Sequence, residues 1–122
     1  MPSRTELGAA GEAFAAEWLA ERGYRILNRN VRYRGGEIDI IAIDGDELVF
    51  VEVKLRSGSR FGRAAETVDA RKLAFLLRAA GRYRQAHPDI EDMIWRIDLI
   101  AITRRGNGSI ESVEHHQNLT LD

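Results

Sequence analysis

Two runs of mainly apolar residues, separated by only four residues, constrain the fold of this 122-residue chain more than any other feature. The runs cover residues 37–43 and 48–55, and the sequence between them is Asp44-Gly45-Asp46-Glu47. Both runs are rich in β-branched residues, which favour strands, and a short segment containing Asp and Gly favours a tight turn. The pattern predicts an antiparallel hairpin, in which residues two apart on one strand share a face.

Charged residues occupy alternate positions in both runs: Glu37 and Asp39 in the first, Glu52 and Lys54 in the second. A four-residue loop sets Asp39 directly across from Glu52. A two-residue loop of Asp44 and Gly45 instead sets Glu37 across from Glu52, with Asp39 on the diagonal, and a three-residue loop places Asp39 and Glu52 on opposite faces. Directly opposed strand residues have Cβ atoms about 5 Å apart, and carboxylates placed so repel each other, so a cation is expected between them. Lys54 is one candidate and a divalent metal is the other, and oxygen ligands favour Mg²⁺ or Mn²⁺.

The alternative interpretation is that these four charged residues form the solvated face of an ordinary hairpin, where polar alternation is common. Against it, the faces that carry the charges also carry four residues that require burial: Ile41, Ile43, Leu48 and Phe50. The charged cluster therefore occupies one end of a partly buried face. Half-buried charges cost free energy unless they are paired or bound to a metal, which favours a functional site.

Apolar residues at helical spacing predict a helix on either side of the hairpin. The first begins at the capping-box pair Ser3 and Glu6 and ends at Gly23. The second covers about residues 67–85, with these side chains facing inward: Leu73, Leu76, Leu77, Ala80 and Tyr83. Shorter runs at 24–30, 94–102 and 109–114 predict three further strands. The order αβββαββ predicts an α/β (α+β) fold, a mixed sheet flanked by helices, in one domain spanning residues 1–122.

The composition excludes several classes of protein and leaves nucleic-acid binding open. The chain has no cysteine, which excludes disulfide scaffolds, thiolate zinc sites and cysteine nucleophiles. It has neither a signal peptide nor a run of ~20 apolar residues, so we expect a soluble cytoplasmic protein with no membrane contact. The formal net charge is only −1, but the basic residues cluster in segments 22–34 and 54–84. That asymmetry predicts a basic face, the alternative being ordinary solvated arginines.

The hairpin sequence resembles a known nuclease signature. Residues 36–41 (Gly-Glu-Ile-Asp-Ile-Ile) followed by residues 50–54 (Phe-Val-Glu-Val-Lys) resemble the PD-(D/E)XK motif of restriction-endonuclease-like nucleases. Ile38 stands where that motif has a proline, which supplies no ligand. Over nearly its full length the chain resembles the YraN family, small bacterial proteins similar to archaeal Holliday-junction resolvases. The resemblance extends to the following segments: Gly8 and Gly11-Glu12, Asn30-Val31-Arg32, the Lys72 helix and Arg96-Ile97-Asp98.

This resemblance implies a restriction-endonuclease-like fold and a role for each residue of the cluster. Asp39, Glu52 and the backbone carbonyl of Val53 would bind Mg²⁺ or Mn²⁺. Lys54 would orient the attacking water and stabilise charge on the phosphate. Glu12 resembles the first-helix acid of the resolvases, and it would bind metal or position water unless it is simply an exposed helix residue. Glu37 would be a further ligand or a partner of one.

The implied activity is metal-dependent hydrolysis of DNA, with branched or structured DNA as the substrate that the resolvase similarity suggests. Arg71, Arg78 and Arg82 form one helical stripe that could contact phosphates, the alternative being a solvated helix face. Further expected DNA contacts are Arg32, Arg34, Arg56 and Lys72. Resolvases act on paired strands, so a homodimer is one expected arrangement. Two rival interpretations stay open: a non-enzymatic nucleic-acid-binding adaptor that keeps the fold, and a subunit that acts only within a complex.

Other polar residues suggest structural roles. Asp98 could be a further acid of the site, but a pairing with Arg96 or another arginine is the favoured interpretation. The histidines His87, His115 and His116 have no partner at metal-ligand spacing and are assigned no function.

Overall fold

The computed structural model describes residues 4–57 and 68–120 and contains the predicted elements in the predicted order. They are α1 (Arg4–Glu21), β1 (Arg25–Tyr33), β2 (Gly36–Asp44), β3 (Glu47–Ser57), α2 (Ala70–Ala86), β4 (Ile94–Arg104) and β5 (Ile110–His116). The expected Ser3 cap and the expected start of the second helix at residue 67 lie outside the described residues. Within them, α2 follows an N-cap at Asp69, whose carboxylate accepts a hydrogen bond from the Lys72 backbone N–H at 2.7 Å.

The five strands form one mixed sheet in the order β1-β2-β3-β4-β5. Only β3 and β4 are parallel, and the connection between them contains α2. Parallel neighbours require such a crossover, whereas the antiparallel pairs are joined by short turns. The predicted mixed sheet flanked by helices is therefore confirmed. Neither helix, over the part of the chain that the structure describes, is long and apolar enough to cross a membrane.

The central hairpin has the register predicted for a four-residue loop. Ile43 pairs with Leu48, and one additional pair, Asp44 with Glu47, extends the ladder to a turn made by Gly45 and Asp46. Gly45 has a φ of 64°, a backbone conformation that tight hairpin turns often need and that glycine adopts without strain. Counted outward from the turn, this register places Asp39 directly across from Glu52.

The sheet buries a separate apolar cluster against each helix. The α1 side contains Ala15, Ala16, Leu19, Ile40, Ala42, Val49, Val51, Ile100 and Ile102. Small residues let α1 lie close to the sheet, because a Cβ built on Gly11 would be only 3.3 Å from the Leu55 Cβ. Glu12 follows Gly11 directly, so this close packing also holds an acidic side chain near the sheet.

On the α2 side, the prediction that Leu77 faces inward is wrong. The buried stripe of the helix comprises Phe75, Leu76, Ala79, Ala80 and Tyr83. Leu73 packs at the margin of this cluster, but Leu77 is 38% exposed. At 3.6 residues per turn the stripe runs along one line of the helix, and Leu77 lies about 100° around the axis from Leu76. Phe75 and Ala79 fill the inward positions instead.

Candidate active site

Asp39 lies where β2 and β3 stop pairing. The last paired residues of the two strands are Ile40 and Val51. Beyond them the Val53 backbone N–H donates a hydrogen bond of 2.8 Å to Asp39 Oδ2, so a side chain replaces the next backbone acceptor. Asp39 is buried, with 7% of its surface exposed. The bond to Val53 therefore holds its carboxylate between the two strands.

The alternation of side chains along β2 is interrupted around Asp39. Ile40 and Ala42 face α1, and Ile41 faces α2, as regular alternation requires. Ile38 should then face α1, yet it belongs to the cluster under α2. This change of side within three residues leaves Asp39 at the boundary between the two faces. Its carboxylate can therefore meet acids that arrive from both sides of the sheet.

Four acidic side chains converge at this point. Carboxylate oxygens of Glu12, Glu37 and Asp39 all lie within 4.8 Å of one another. Asp39 is also close enough to hydrogen-bond with the carboxyl groups of Glu12 and of Glu52. The structure thus brings Asp39 and Glu52 together, as the hairpin register predicts, and adds Glu12 from α1 and Glu37 from the start of β2.

Burial and mutual repulsion make full ionisation of this cluster unfavourable. Burial, together with the negative charge and hydrogen bonding of Asp39, raises the pKa of Glu52 from 4.5 to about 8, and Lys72 opposes the shift. Burial also raises the pKa of Glu12 to about 7, together with hydrogen bonding and repulsion from Asp39 and repulsion from Glu37. Desolvation and like charge both disfavour the ionised carboxylate. Without a cation, the cluster therefore retains protons near neutral pH.

Basic side chains surround the acids. Lys72 Nζ lies 3.5 Å from Glu52 Oε2, and Arg32 Nε lies 3.6 Å from Glu37 Oε2. The charge of Arg29 acts on Glu12 from β1, and sequence reasoning did not single this residue out. β3 pairs with β4 without a break, so alternation places half-buried Lys54 on the Glu52 side of the strand.

The expected phosphate-contacting residues occupy different places. Arg34, Arg78 and Arg82 line one cavity of about 310 Å³, together with Tyr33, Phe75 and Ala79. Arg71 is exposed on the same helix and is not among the lining residues, and Arg56 is half-buried on β3. The structure therefore brings together two arginines of the helical stripe with Arg34. The cavity depends on residues from β1 and α2, so no local sequence pattern indicates it.

Asp98 pairs with Arg96, as the favoured interpretation predicts. Arg96 Nε donates to Asp98 Oδ1 at 3.1 Å, and Asp98 is fully buried. His115 Nε2 lies 2.8 Å from Asp98 Oδ2, and the Asn118 N–H donates to Oδ1 at 2.9 Å. Burial alone would raise the pKa of Asp98, but the hydrogen bonds from His115, Asn118 and Arg96 hold it below its usual value. Asp98 is therefore a structural anchor.

Arg96 extends this network to the hairpin turn. Its guanidinium contacts Asp44 Oδ2 at 3.0 Å and Glu47 Oε1 at 3.3 Å, and it donates to the Tyr24 hydroxyl at 3.0 Å. These contacts fix the turn end of the hairpin, which is the end opposite to the acid cluster. Sequence reasoning missed the roles of Tyr24 and His115, because 72 residues separate Tyr24 from Arg96 and 17 separate His115 from Asp98.

The sequence is similar to a large set of related proteins. The profile described as "Uncharacterised protein family UPF0102" matches residues 11–102, a range that includes all four acids of the cluster. A UPF0102 protein of Frankia casuarinae is 44% identical over 115 residues, which cover 94% of this chain and 96% of that protein. A UPF0102 protein of Carboxydothermus hydrogenoformans is 41% identical over 121 residues, covering 96% and 97% of the two chains. One from Symbiobacterium thermophilum is 57% identical over 77 residues, 63% of this chain and 65% of that protein. The chain therefore belongs to the UPF0102 family, which is the YraN family that its sequence resembles.

Proposed function

We propose that this protein is a divalent-metal-dependent endonuclease that hydrolyses phosphodiester bonds in DNA. The observation that carries the proposal is the convergence of Glu12, Glu37, Asp39 and Glu52 where β2 and β3 separate. Converging carboxylates repel phosphate, so a protein that only binds DNA gains nothing from them. A cation held between them turns the same cluster into an attractive site for a phosphodiester.

The donor set fits Mg²⁺ or Mn²⁺. All four side chains offer oxygen, which hard divalent cations prefer, and no cysteine is present to favour a softer metal. The raised pKa values of Glu12 and Glu52 indicate that the cluster requires compensating positive charge to ionise fully. Asp39 and Glu52 would hold the metal. When bound, it would supply a Lewis acid that activates water and neutralises charge on the phosphate.

The backbone of Val53 supports its proposed part in the site. The Val53 N–H points toward Asp39, to which it donates. In a strand, the N–H and C=O of one residue point toward the same neighbouring strand, so the Val53 carbonyl also faces the acid cluster. The ladder between β2 and β3 ends at Val51, and it therefore does not extend to this carbonyl. A neutral oxygen is thus available beside the two carboxylates.

Two lysines have different proposed roles in the site. Lys72 forms an ion pair with Glu52, so it orients that carboxylate. Lys54, on the same side of β3, would donate a hydrogen bond to the attacking water and then to the phosphate oxygens as their charge grows. Glu12 would position the water from the α1 side. Glu37 would help to hold the metal while Arg32 restrains its carboxylate.

Substrate affinity would come mainly from arginine contacts to phosphates. Such contacts position a strand without reading its sequence, which suits an enzyme that recognises the shape of branched or otherwise structured DNA. The preference for structured DNA rests on the similarity to Holliday-junction resolvases, and a homodimer would let two sites act on paired strands.

The test is a cleavage assay with matched aspartate variants. Purified protein is incubated with labelled single-stranded, duplex, flap and four-way DNA in Mg²⁺ or Mn²⁺. We expect cleavage by the wild type and by Asp46→Asn, which changes an exposed turn residue, and none by Asp39→Asn. Calorimetry with Mn²⁺ should show weaker binding to Asp39→Asn than to either of the other proteins.

A non-enzymatic adaptor is the second candidate, and the formal net charge of −1 is the observation that favours it. A nuclease that relies on arginine contacts does not require an overall basic balance, whereas an adaptor has no use for a metal. If the wild type binds DNA but neither binds Mg²⁺ or Mn²⁺ nor cuts any of the four DNA forms, the adaptor replaces the nuclease.

A further inference from the structure

The cavity between β1 and α2 is walled by three arginines and two aromatic residues. Arg34 comes from the turn after β1, and Arg78 and Arg82 lie one helical turn apart on α2. Tyr33 and Phe75 add ring surface to the lining. Its volume of about 310 Å³ is within the range of small-ligand pockets. The lining thus combines charge that suits a phosphate with apolar surface that suits a sugar or a base.

Among the residues that the structure describes, no acid neutralises these three guanidinium groups. In residues 4–57 and 68–120, no carboxylate forms an ion pair with Arg34, Arg78 or Arg82, although Arg32 and Arg96 in the same fold do form such pairs. All three side chains are exposed. Three like charges around one cavity repel each other, and an anion that enters it relieves that repulsion. Guanidinium forks match the geometry of phosphate oxygens.

The cavity wall is fixed by close packing at the β1–β2 turn. Gly35 has a φ of 97°, and a Cβ built on Gly36 would lie 3.1 Å from Phe75 Cζ. The turn therefore rests on the Phe75 ring, which is itself buried under the sheet. This packing holds the β1 side of the cavity against α2. The cavity is thus a preformed feature of the fold.

The cavity also adjoins the acid cluster. Lys72 Nζ lies 5.3 Å from the centre of the Phe75 ring and 3.5 Å from Glu52 Oε2, so two contacts join the cavity wall to the acids. A second cavity, lined by Arg32, Tyr33, Gly36 and Glu37, shares Tyr33 with the first and reaches an acid of the cluster. A strand bound at the acids can therefore extend along β1 to the three arginines.

We propose that the cavity lined by Arg34, Arg78 and Arg82 binds the terminal phosphate of a nucleic-acid strand whose adjoining nucleotides lie at the acid cluster. A terminal phosphate monoester carries more negative charge than an internal diester, so three guanidinium groups favour the strand end. A concave site also admits an end more readily than a continuous backbone. The proposal rests on the proposed function for a nucleic-acid ligand that lies at the acid cluster, and it adds that the protein recognises strand ends.

The test compares affinities for matched oligonucleotides in EDTA, where no cleavage occurs. One short single-stranded DNA is prepared with a 5′-phosphate, with a 3′-phosphate and with neither, and anisotropy gives the three dissociation constants. The two phosphorylated forms distinguish which end the cavity accepts, and inorganic phosphate serves as a competitor. The double variant Arg78→Gln/Arg82→Gln is compared with Arg71→Gln, which removes one exposed arginine of the same helix outside the cavity.

We expect the wild type to bind one phosphorylated form about tenfold more tightly than the unphosphorylated form, the effect of a charge-assisted contact. The double variant should lose this ratio, while Arg71→Gln should weaken binding of all forms alike and keep it. Equal affinities in the wild type, or loss of the ratio in Arg71→Gln as well, would overturn the proposal. The binding assay contains no metal, so the two proposals can fail separately. DNA cleavage by a protein that lacks this affinity ratio would refute only the end-binding site. The affinity ratio in a protein that cleaves no DNA would refute only the nuclease.

Discussion

Replacement of Glu52 by glutamine should remove most of a pH-dependent loss of stability in the metal-free protein. The pKa of Glu52 is raised from 4.5 to about 8 in the folded state, first by burial and then by Asp39. A raised folded-state pKa stabilises the fold fully below pH 4.5, where the group is protonated in both states. That contribution is lost as the pH rises toward 8, because the unfolded chain ionises freely while the folded chain must retain a proton or accept a buried charge.

The expected size follows from the shift. Each pKa unit corresponds to about 1.4 kcal/mol, so between about pH 5 and about pH 8 the free energy of unfolding should fall by about 3 kcal/mol through Glu52. Glu12, whose pKa is raised to about 7 by burial and by Asp39, titrates in the same direction and adds to the slope. A glutamine at position 52 does not ionise. It should flatten the curve, leaving only the part that belongs to Glu12 and to groups outside the cluster.

Urea unfolding followed by tryptophan fluorescence, in EDTA at several pH values, measures the slope. Glu17→Gln is the matched control, because Glu17 is exposed on α1 and its variant should keep the wild-type slope. Excess Mg²⁺ or Mn²⁺ should restore wild-type stability above about pH 7, since a ligand that binds only the folded state stabilises it. A wild-type free energy of unfolding that is flat or rises from pH 5 to 8 in EDTA would refute the electrostatic reasoning. So would an unchanged slope in Glu52→Gln.

Three further substitutions test other parts of the structure. Lys54→Met should abolish DNA cleavage in single-turnover assays and leave DNA affinity nearly unchanged, because its contribution is expressed as charge develops; cleavage at the wild-type rate would contradict its role. Asp98→Asn should lower the free energy of unfolding by about 3 kcal/mol, because it removes the buried charge that compensates Arg96, and a near-zero change in urea unfolding would refute this. Gly36→Ala should cost about 1–3 kcal/mol in the same assay, because its Cβ would crowd Phe75 at 3.1 Å, and wild-type stability would show that the ring can move aside.

The Asp98 and Gly36 substitutions each have a control in the chain, and the Lys54 substitution has a folding check. Asp92→Asn removes an exposed charge just before β4 and should change stability by less than about 0.5 kcal/mol. Gly81→Ala adds a Cβ with nothing within 4 Å on α2 and should stabilise the protein by about 1 kcal/mol, because alanine favours helix over glycine. Thermal unfolding of Lys54→Met must show a folded protein before its cleavage result is interpreted.

The hairpin shows how much of the fold can be predicted from local sequence patterns. Two β-branched runs and a turn segment predicted β2 and β3, but the sequence alone left three loop lengths open. The structure selects the register in which Ile43 pairs with Leu48. On α2, the helix itself was predicted, yet Leu77 is exposed and Phe75 is buried. Periodicity defines a stripe only to within about one position, and packing against the sheet decides which neighbour is covered.

The acid cluster combines both kinds of information. Asp39 and Glu52 could be placed together from strand alternation and an even loop, because a hairpin relates its residues by simple counting. Glu12 lies on α1, and its approach to Asp39 was implied only by family resemblance. The ion pair of Lys72 with Glu52 spans the connection from β3 to α2, so spacing along the chain does not indicate it.

The sequence by itself determined the order of elements, the central hairpin and the two acids at its end, because these depend on periodicity and turn chemistry over a few residues. Tertiary structure alone decided the rest. The break in alternation that lets Asp39 meet acids from both faces depends on how the sheet packs against two helices at once. The cavity of Arg34, Arg78 and Arg82 joins residues far apart in the chain, and so do the contacts of Tyr24 with Arg96 and of His115 with Asp98. Such contacts form only when the folded core brings distant segments together, and no local pattern encodes which segments will meet.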